Sequence, residues 1–161
     1  MYYRYIPTPV GRFLLAGDAQ GLVMTSFTRG YQQRKPEPDW LPDDGTLERA
    51  ATQLGEYFAG NRQRFDIPLA LKGTPFQREV WGVLQTIPFG ETWAYGDIAA
   101  RLGRPGAARA VGSANIANRL PIVVPCHRVL GKRGQLIGFG GGLDTKQWLL
   151  DFEKEPKKTR R

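Results

Sequence analysis

Residues 94–116 read Ala94-Tyr-Gly-Asp-Ile-Ala-Ala-Arg-Leu102, then Gly103-Arg-Pro-Gly106, then Ala107-Ala-Arg-Ala-Val-Gly-Ser-Ala-Asn-Ile116. Glycine and proline here punctuate two helix-forming runs. The stretch predicts a short helix over about 94–102, a tight turn, and a second short helix over about 107–116. Two short helices joined by a glycine-containing turn, in a basic segment, form a helix-turn-helix pattern. The second helix carries small side chains and one arginine, Arg109. Ala107, Ala108 and Gly112 would let that helix approach a phosphate ridge or shallow groove closely. Ala107, Ala110, Val111 and Ala114 equally suit packing against the first helix, and both readings fit on different faces.

Upstream, Thr74-Pro75-Phe76-Gln77 matches a capping box with proline at the first helical position. Phe76, Val80, Val83, Leu84 and Ile87 then share one face, and Pro88 with Gly90 ends the helix. The chain before it predicts a small antiparallel β-meander. Tyr2–Ile6, Arg12–Ala16 and Leu22–Phe27 are short β-branched or aromatic runs separated by turn residues. Residues 28–45, with Pro36, Pro38 and Pro42, read as a long surface loop. A helix follows, with Thr46 as its cap, Leu47, Ala50, Leu54, Tyr57 and Phe58 on one face, and Gly60 as its stop. Phe65–Leu71 reads as one more extended segment. Lys72-Gly73 marks a boundary between an N-terminal α/β supporting domain, residues 1–72, and a mostly helical domain, residues 73–161. The expected class is α+β.

The 161 residues carry 23 Lys+Arg against 15 Asp+Glu, a net charge of +8. Residues 1–72 hold 9 basic and 8 acidic residues, and residues 73–161 hold 14 and 7, so the excess sits in the second half. Such a surface attracts polyanions, of which nucleic acid is the usual one, or serves only as a solvated face. No apolar run reaches the ~18–20 residues of a membrane-spanning helix. The opening Met1-Tyr-Tyr-Arg-Tyr5 leads into no apolar core, so a secretory signal is not expected. The chain has one Cys and one His, too few for a disulfide or a Cys/His zinc site. The expected compartment is reducing and cytoplasmic.

Pro121-Ile-Val-Val-Pro125-Cys126-His127-Arg128-Val129 carries the chemistry. β-Branched residues between two prolines predict an extended, buried run with Cys126 at a stiff junction. A lone buried cysteine is commonly inert. Against that, His127 and Arg128 follow directly, and the basic half should favour a thiolate, the nucleophilic form. Adjacent side chains diverge, so a bridging water is the natural link from thiol to imidazole, with a carboxylate beyond the ring to fix its tautomer.

Pro125–Val129 resembles the active-site motif of the O6-alkylguanine-DNA alkyltransferases, also called methylated-DNA–protein-cysteine methyltransferases. Ile87-Pro-Phe-Gly90, Tyr95-Gly-Asp-Ile-Ala99, Ala107-Ala-Arg-Ala-Val-Gly112, Asn118, Gly141-Gly-Leu143, Lys146-Gln-Trp-Leu-Leu150 and Glu153 resemble the family at matching spacing. The resemblance is strong from Thr74 to Glu153 and looser over Thr8–Gly11 and Gly21-Leu22. It implies an RNase H-like N-terminal domain and a winged helix-turn-helix-like C-terminal one. Cys126 would accept the alkyl group from O6 of a damaged guanine in double-stranded DNA, irreversibly and once per molecule, with no cofactor and no metal, as a monomer and with no membrane partner. His127 would be the base, oriented by Glu153. Asn118 would hold the turn before the cysteine. Tyr95 would crowd a phosphate and protonate the leaving guanine. Arg109, on a helix whose Ala107, Ala108 and Gly112 face DNA, would replace the extruded base. Pro121, Val129, Phe139 and Gly140 would wall the base pocket. Many members carry a hydroxyl near Gly140 and a tyrosine at Phe139; glycine here predicts a roomier pocket that admits larger alkyl groups.

Three other readings share these residues. A non-catalytic alkylguanine sensor would lack Cys126. A helix-turn-helix regulator would bind specific operators and not need it. A Cys-His hydrolase would turn over an ester or amide. The basic tail Lys154–Arg161 adds electrostatic attraction to DNA or is a solubilising end.

Overall fold

The computed structural model describes residues 1–154; the rest of the basic tail lies outside the described residues. A four-stranded sheet opens the chain: β1 (Tyr2–Ile6), β2 (Phe13–Asp18), β3 (Gly21–Phe27) and β4 (Leu41–Pro42), in the order β3-β2-β1-β4. The first three strands are the antiparallel meander expected from their apolar runs. Strand β4 pairs parallel to β1, and the surface-loop reading of residues 28–45 missed it. A two-residue edge strand carrying Pro42 has almost no sequence signal, because proline suits an edge that needs few donors.

Helix α1 (Glu48–Phe58) packs Leu54, Tyr57 and Phe58 on the sheet. Thr46 does not cap it. The position before the helix is Leu47, whose N–H donates to the Asp43 carboxylate at 3.0 Å, while Thr46 Oγ1 bonds Asp44. Phe65–Leu71 forms no full strand; a single parallel bridge joins Leu69 to Leu22 on the free edge of β3.

The second half contains α2 (Pro75–Leu84), β5 (Trp93–Ala94), α3 (Tyr95–Arg101), α4 (Ala108–Ile116), β6 (Val129–Leu130) and α5 (Leu143–Lys154). The capping box at α2 forms as read: Gln77 N–H donates to Thr74 Oγ1 at 3.1 Å, and Thr74 N–H to Gln77 Oε1 at 3.0 Å. Helix α3 is started by Asp97, whose carboxylate accepts from Ala94 N–H. The helix pair is bolted to α2 by Trp81, whose indole N–H donates to Ala114 O at 2.8 Å.

One apolar core runs through both halves. Phe13, Phe27 and Tyr57 belong to the same buried cluster as Trp81, Ile98 and Phe152. Burial of apolar surface is the main stabilising term, so this shared core fixes the halves against each other. The outer edge of β3 is the seam: Thr25 N–H donates to Arg119 O at 2.9 Å, and Thr25 Oγ1 to Pro121 O at 2.9 Å. Among the described residues no helix is long and apolar enough to cross a membrane.

Candidate active site

The segment from Leu120 to Val129 is buried, as its apolar content requires, but it is not extended. It turns at residues 121–123, with Ile122 at φ 77°, and winds into a single 3-10 turn over Cys126–Arg128. A β-branched residue in the left-handed region costs of order 1–3 kcal/mol and persists only where neighbours hold it. Three do so here. Asn118 Nδ2 donates to Val124 O at 2.9 Å, Asn118 Oδ1 accepts from Leu120 N–H at 2.9 Å, and Thr25 holds Pro121 from across the seam. Asn118 thus staples the turn that delivers Cys126.

Behind the cysteine lies a closed ion network. Glu153, on α5, is 3% exposed and accepts four hydrogen bonds. His127 Nε2 lies 2.8 Å from Oε2, Arg128 donates Nε at 2.8 Å and Nη2 at 3.0 Å, and the Tyr57 hydroxyl donates at 2.6 Å. Arg128 also donates to Ile87 O at 2.7 Å. Burial alone would raise the carboxyl's pKa, yet His127 and Arg128 hold it well below the ordinary carboxylate range. Burial lowers the pKa of His127 against the pull of Glu153, so the ring is neutral at pH 7. With Nε2–H given to Glu153, the lone pair sits on Nδ1, which has no hydrogen-bond partner among the described residues. That nitrogen is the one able to accept a proton.

Cys126 is only 6% exposed, yet it lines a cavity together with Asn118, Pro121, Phe139 and Gly140. Val129 does not line this cavity; it is fully buried in β6, paired with Trp93. The basic half does not leave the thiol ionised at rest. Burial pushes its pKa up, and the Asn118 amide with the charges of Lys146 and Arg34 opposes this without cancelling it. The resting group is a thiol that needs a base. Lys146 is itself buried, donating Nζ to Val129 O at 2.6 Å and to Ile137 O at 2.9 Å, with its pKa pushed down to about 8 by burial.

Tyr95, at the start of α3, is half-buried beside the cavity. A methyl group built on Gly138 would lie 3.7 Å from its hydroxyl, and one on Gly112 3.9 Å from its ring. Burial, then the charge on Cys126, raise its pKa, so the phenol keeps its proton. Arg109 is exposed on α4, apart from the Cys126 cavity, with half-buried Ala107 and Ala108 beside it. Among the described residues no group of three or more His, Cys, Asp and Glu could hold a metal ion.

Reading the sequence assigned no site role to Tyr57, Lys146, Arg34 or Gln32, the last two on the loop after β3 and lining the cavity. Tyr57 and Glu153 are 96 positions apart, a separation no local pattern spans. One signal was available for Lys146. With Leu149, Leu150 and Glu153 it falls at helical spacing, and two charges on an apolar helix face require partners.

Two family models match the chain. The 6-O-methylguanine DNA methyltransferase DNA binding domain covers residues 75–155, and the ribonuclease-like domain of the same family covers residues 1–71. The methylated-DNA–protein-cysteine methyltransferase of Methanosarcina acetivorans is 46% identical, with 95% of this chain and 98% of the relative aligned. That of Mycobacterium bovis is 49% identical over 96% of this chain and 93% of the relative. Among solved structures, Mycobacterium tuberculosis OGT in complex with DNA superposes with a TM-score of 0.88 at 46% identity, covering 96% of this chain and 94% of the other. Matched in both halves and along nearly the whole length of its relatives, the chain belongs to the 6-O-methylguanine DNA methyltransferase family.

Proposed function

We propose that this protein repairs DNA by taking the alkyl group from O6 of guanine onto Cys126, once per molecule. The observation that carries the reading is the cavity bearing Cys126, backed by a neutral His127 whose Nδ1 has no partner among the described residues and whose Nε2 is tied to Glu153. The relatives' names and the DNA complex of the mycobacterial protein support it.

The damaged base leaves the duplex stack to reach a buried sulfur, at a cost of a few kcal/mol. His127 Nδ1 takes the thiol proton, through a water between the diverging side chains. Sγ then attacks the alkyl carbon; the S–C bond forms as the C–O6 bond breaks, and its electron pair leaves with guanine. Tyr95, still protonated, gives that guanine a proton and regains one from the imidazolium side. In sum the thiol proton ends on guanine. A thioether has no simple route back, so the protein is spent. No metal or cofactor takes part. A single copy suffices, working in the reducing cytoplasm. On this reading residues 1–72 and 73–161 form two domains, the second binding double-stranded DNA through α4.

Arg109 fills the gap left in the stack, because small neighbours bring its helix close to the minor groove, where an inserted side chain offsets unstacking. Arg109→Ala is expected to slow repair of duplex DNA roughly tenfold while sparing free O6-alkylguanine; single-turnover rates on both substrates measure this, and equal slowing removes the stacking role. Tyr95→Phe keeps the ring and removes the proton donor. It should leave binding within about twofold and slow transfer by about 10²-fold or more; a filter-binding titration beside the transfer rate tests it.

The reading itself is tested by intact mass spectrometry of the protein mixed with an O6-methylguanine duplex. One methyl per chain, mapped to Cys126, is expected. Turnover without an adduct would indicate a hydrolase, and binding without an adduct a sensor.

A further inference from the structure

The wall of the Cys126 cavity is shared between the two halves of the chain. Gly138–Gly141 supply one side, and the loop after β3 supplies Gln32 and Arg34 on the other. The two sides are tied together: Gln32 N–H donates to Gly140 O at 3.0 Å. Gly30 lies so close to residues 140–142 that a methyl group on it would overlap their backbone, and its φ of 86° also demands glycine. The Gln32 side chain then lies over the α-carbon of Gly140. A Cβ built on Gly140 would meet Gln32 Cβ at 2.7 Å and Cδ at 2.9 Å. The space that glycine leaves is therefore not open. A residue 108 positions earlier fills it, which reverses the expectation of a roomier pocket.

We infer that Gln32 is the residue that sets how large an alkyl group the Cys126 pocket accepts. The inference rests on the repair reading and deepens it. The base and its alkyl group must share the cavity that Gln32 and Gly140 border. Packed interiors respond to changes of a single methylene, so the bulk of this side chain limits what enters beside the sulfur. Shortening it frees room for a bulky alkyl group and gains nothing for a methyl. The N-terminal half is thus part of the substrate site, beyond a supporting role.

The test compares transfer from O6-benzylguanine and O6-methylguanine in the same duplex, read as the Cys126 adduct by intact mass under single-turnover conditions. Gln32→Ala is expected to raise the benzyl-to-methyl rate ratio roughly tenfold, a typical return for a change of a few methylenes in a pocket. Gln32→Leu keeps the bulk and should keep the ratio. Gly140→Ala, which adds a methyl where Gln32 sits, should lower it. An unaltered ratio in Gln32→Ala, or an equal rise in Gln32→Leu, overturns the inference and leaves the repair reading standing. Adducts absent from the unaltered chain overturn the repair reading, and the inference with it.

Discussion

Cys126→Ser should form no alkyl adduct with an O6-methylguanine duplex, while still binding that duplex within about threefold of the unaltered chain. The sulfur is the acceptor because a thiol loses its proton to a neutral imidazole far more readily than a hydroxyl does, and sulfur is the better nucleophile toward carbon. Burial already holds the Cys126 thiol above its ordinary pKa, so the site has no reserve with which to ionise a serine. On the proposed reading binding persists, because α4 and the basic second half remain untouched. Intact mass spectrometry and a gel-shift titration provide the two readouts. A methylated serine variant would show that another group accepts the alkyl. Loss of binding would show that the sulfur holds the base as well as reacting with it.

Glu153→Gln should cost stability and chemistry together. The carboxylate accepts from His127, Arg128 and Tyr57 in a site closed to water. Neutralising it leaves the Arg128 guanidinium buried without its counter-charge. Breaking a buried pair in this way typically costs about 3–5 kcal/mol, and urea unfolding at pH 7 should register a loss of that order. The sign of the pH dependence follows from the depressed carboxyl pKa. The stabilisation is present in full above the unfolded value of about 4.3 and is lost as pH falls through the folded value. The difference between the two proteins should therefore narrow as pH drops below about 4. The chemistry suffers through the tautomer. A glutamine amide can donate to Nε2, which moves the ring proton to Nδ1 and removes the acceptor that the repair reading assigns to the thiol proton. Alkyl transfer should fall by about 10²–10⁴-fold, the scale seen when a triad carboxylate becomes an amide. A rate within threefold of the unaltered chain would mean that Glu153 serves the fold alone.

The sequence by itself determined what is local. The capping box at Thr74 and Gln77, the glycine turn between α3 and α4 and the three-strand meander all rest on contacts a few residues apart, so their patterns are visible without a fold. The run Cys126-His127-Arg128 is local in the same way, and only the resemblance to a known family joined Asn118 and Glu153 to it. Tertiary structure decided everything that depends on distant partners. It turned the expected extended run before Cys126 into a tight turn, since Asn118 and Thr25 can hold Ile122 where its own preferences would not. It moved Val129 from the pocket to the core. It left Cys126 a protonated thiol, because the energy of burying a charge outweighs the net charge of the surrounding half. It also brought Tyr57 to Glu153 and Gln32 to Gly140, contacts that side-chain packing across the seam creates and that no spacing along the chain encodes.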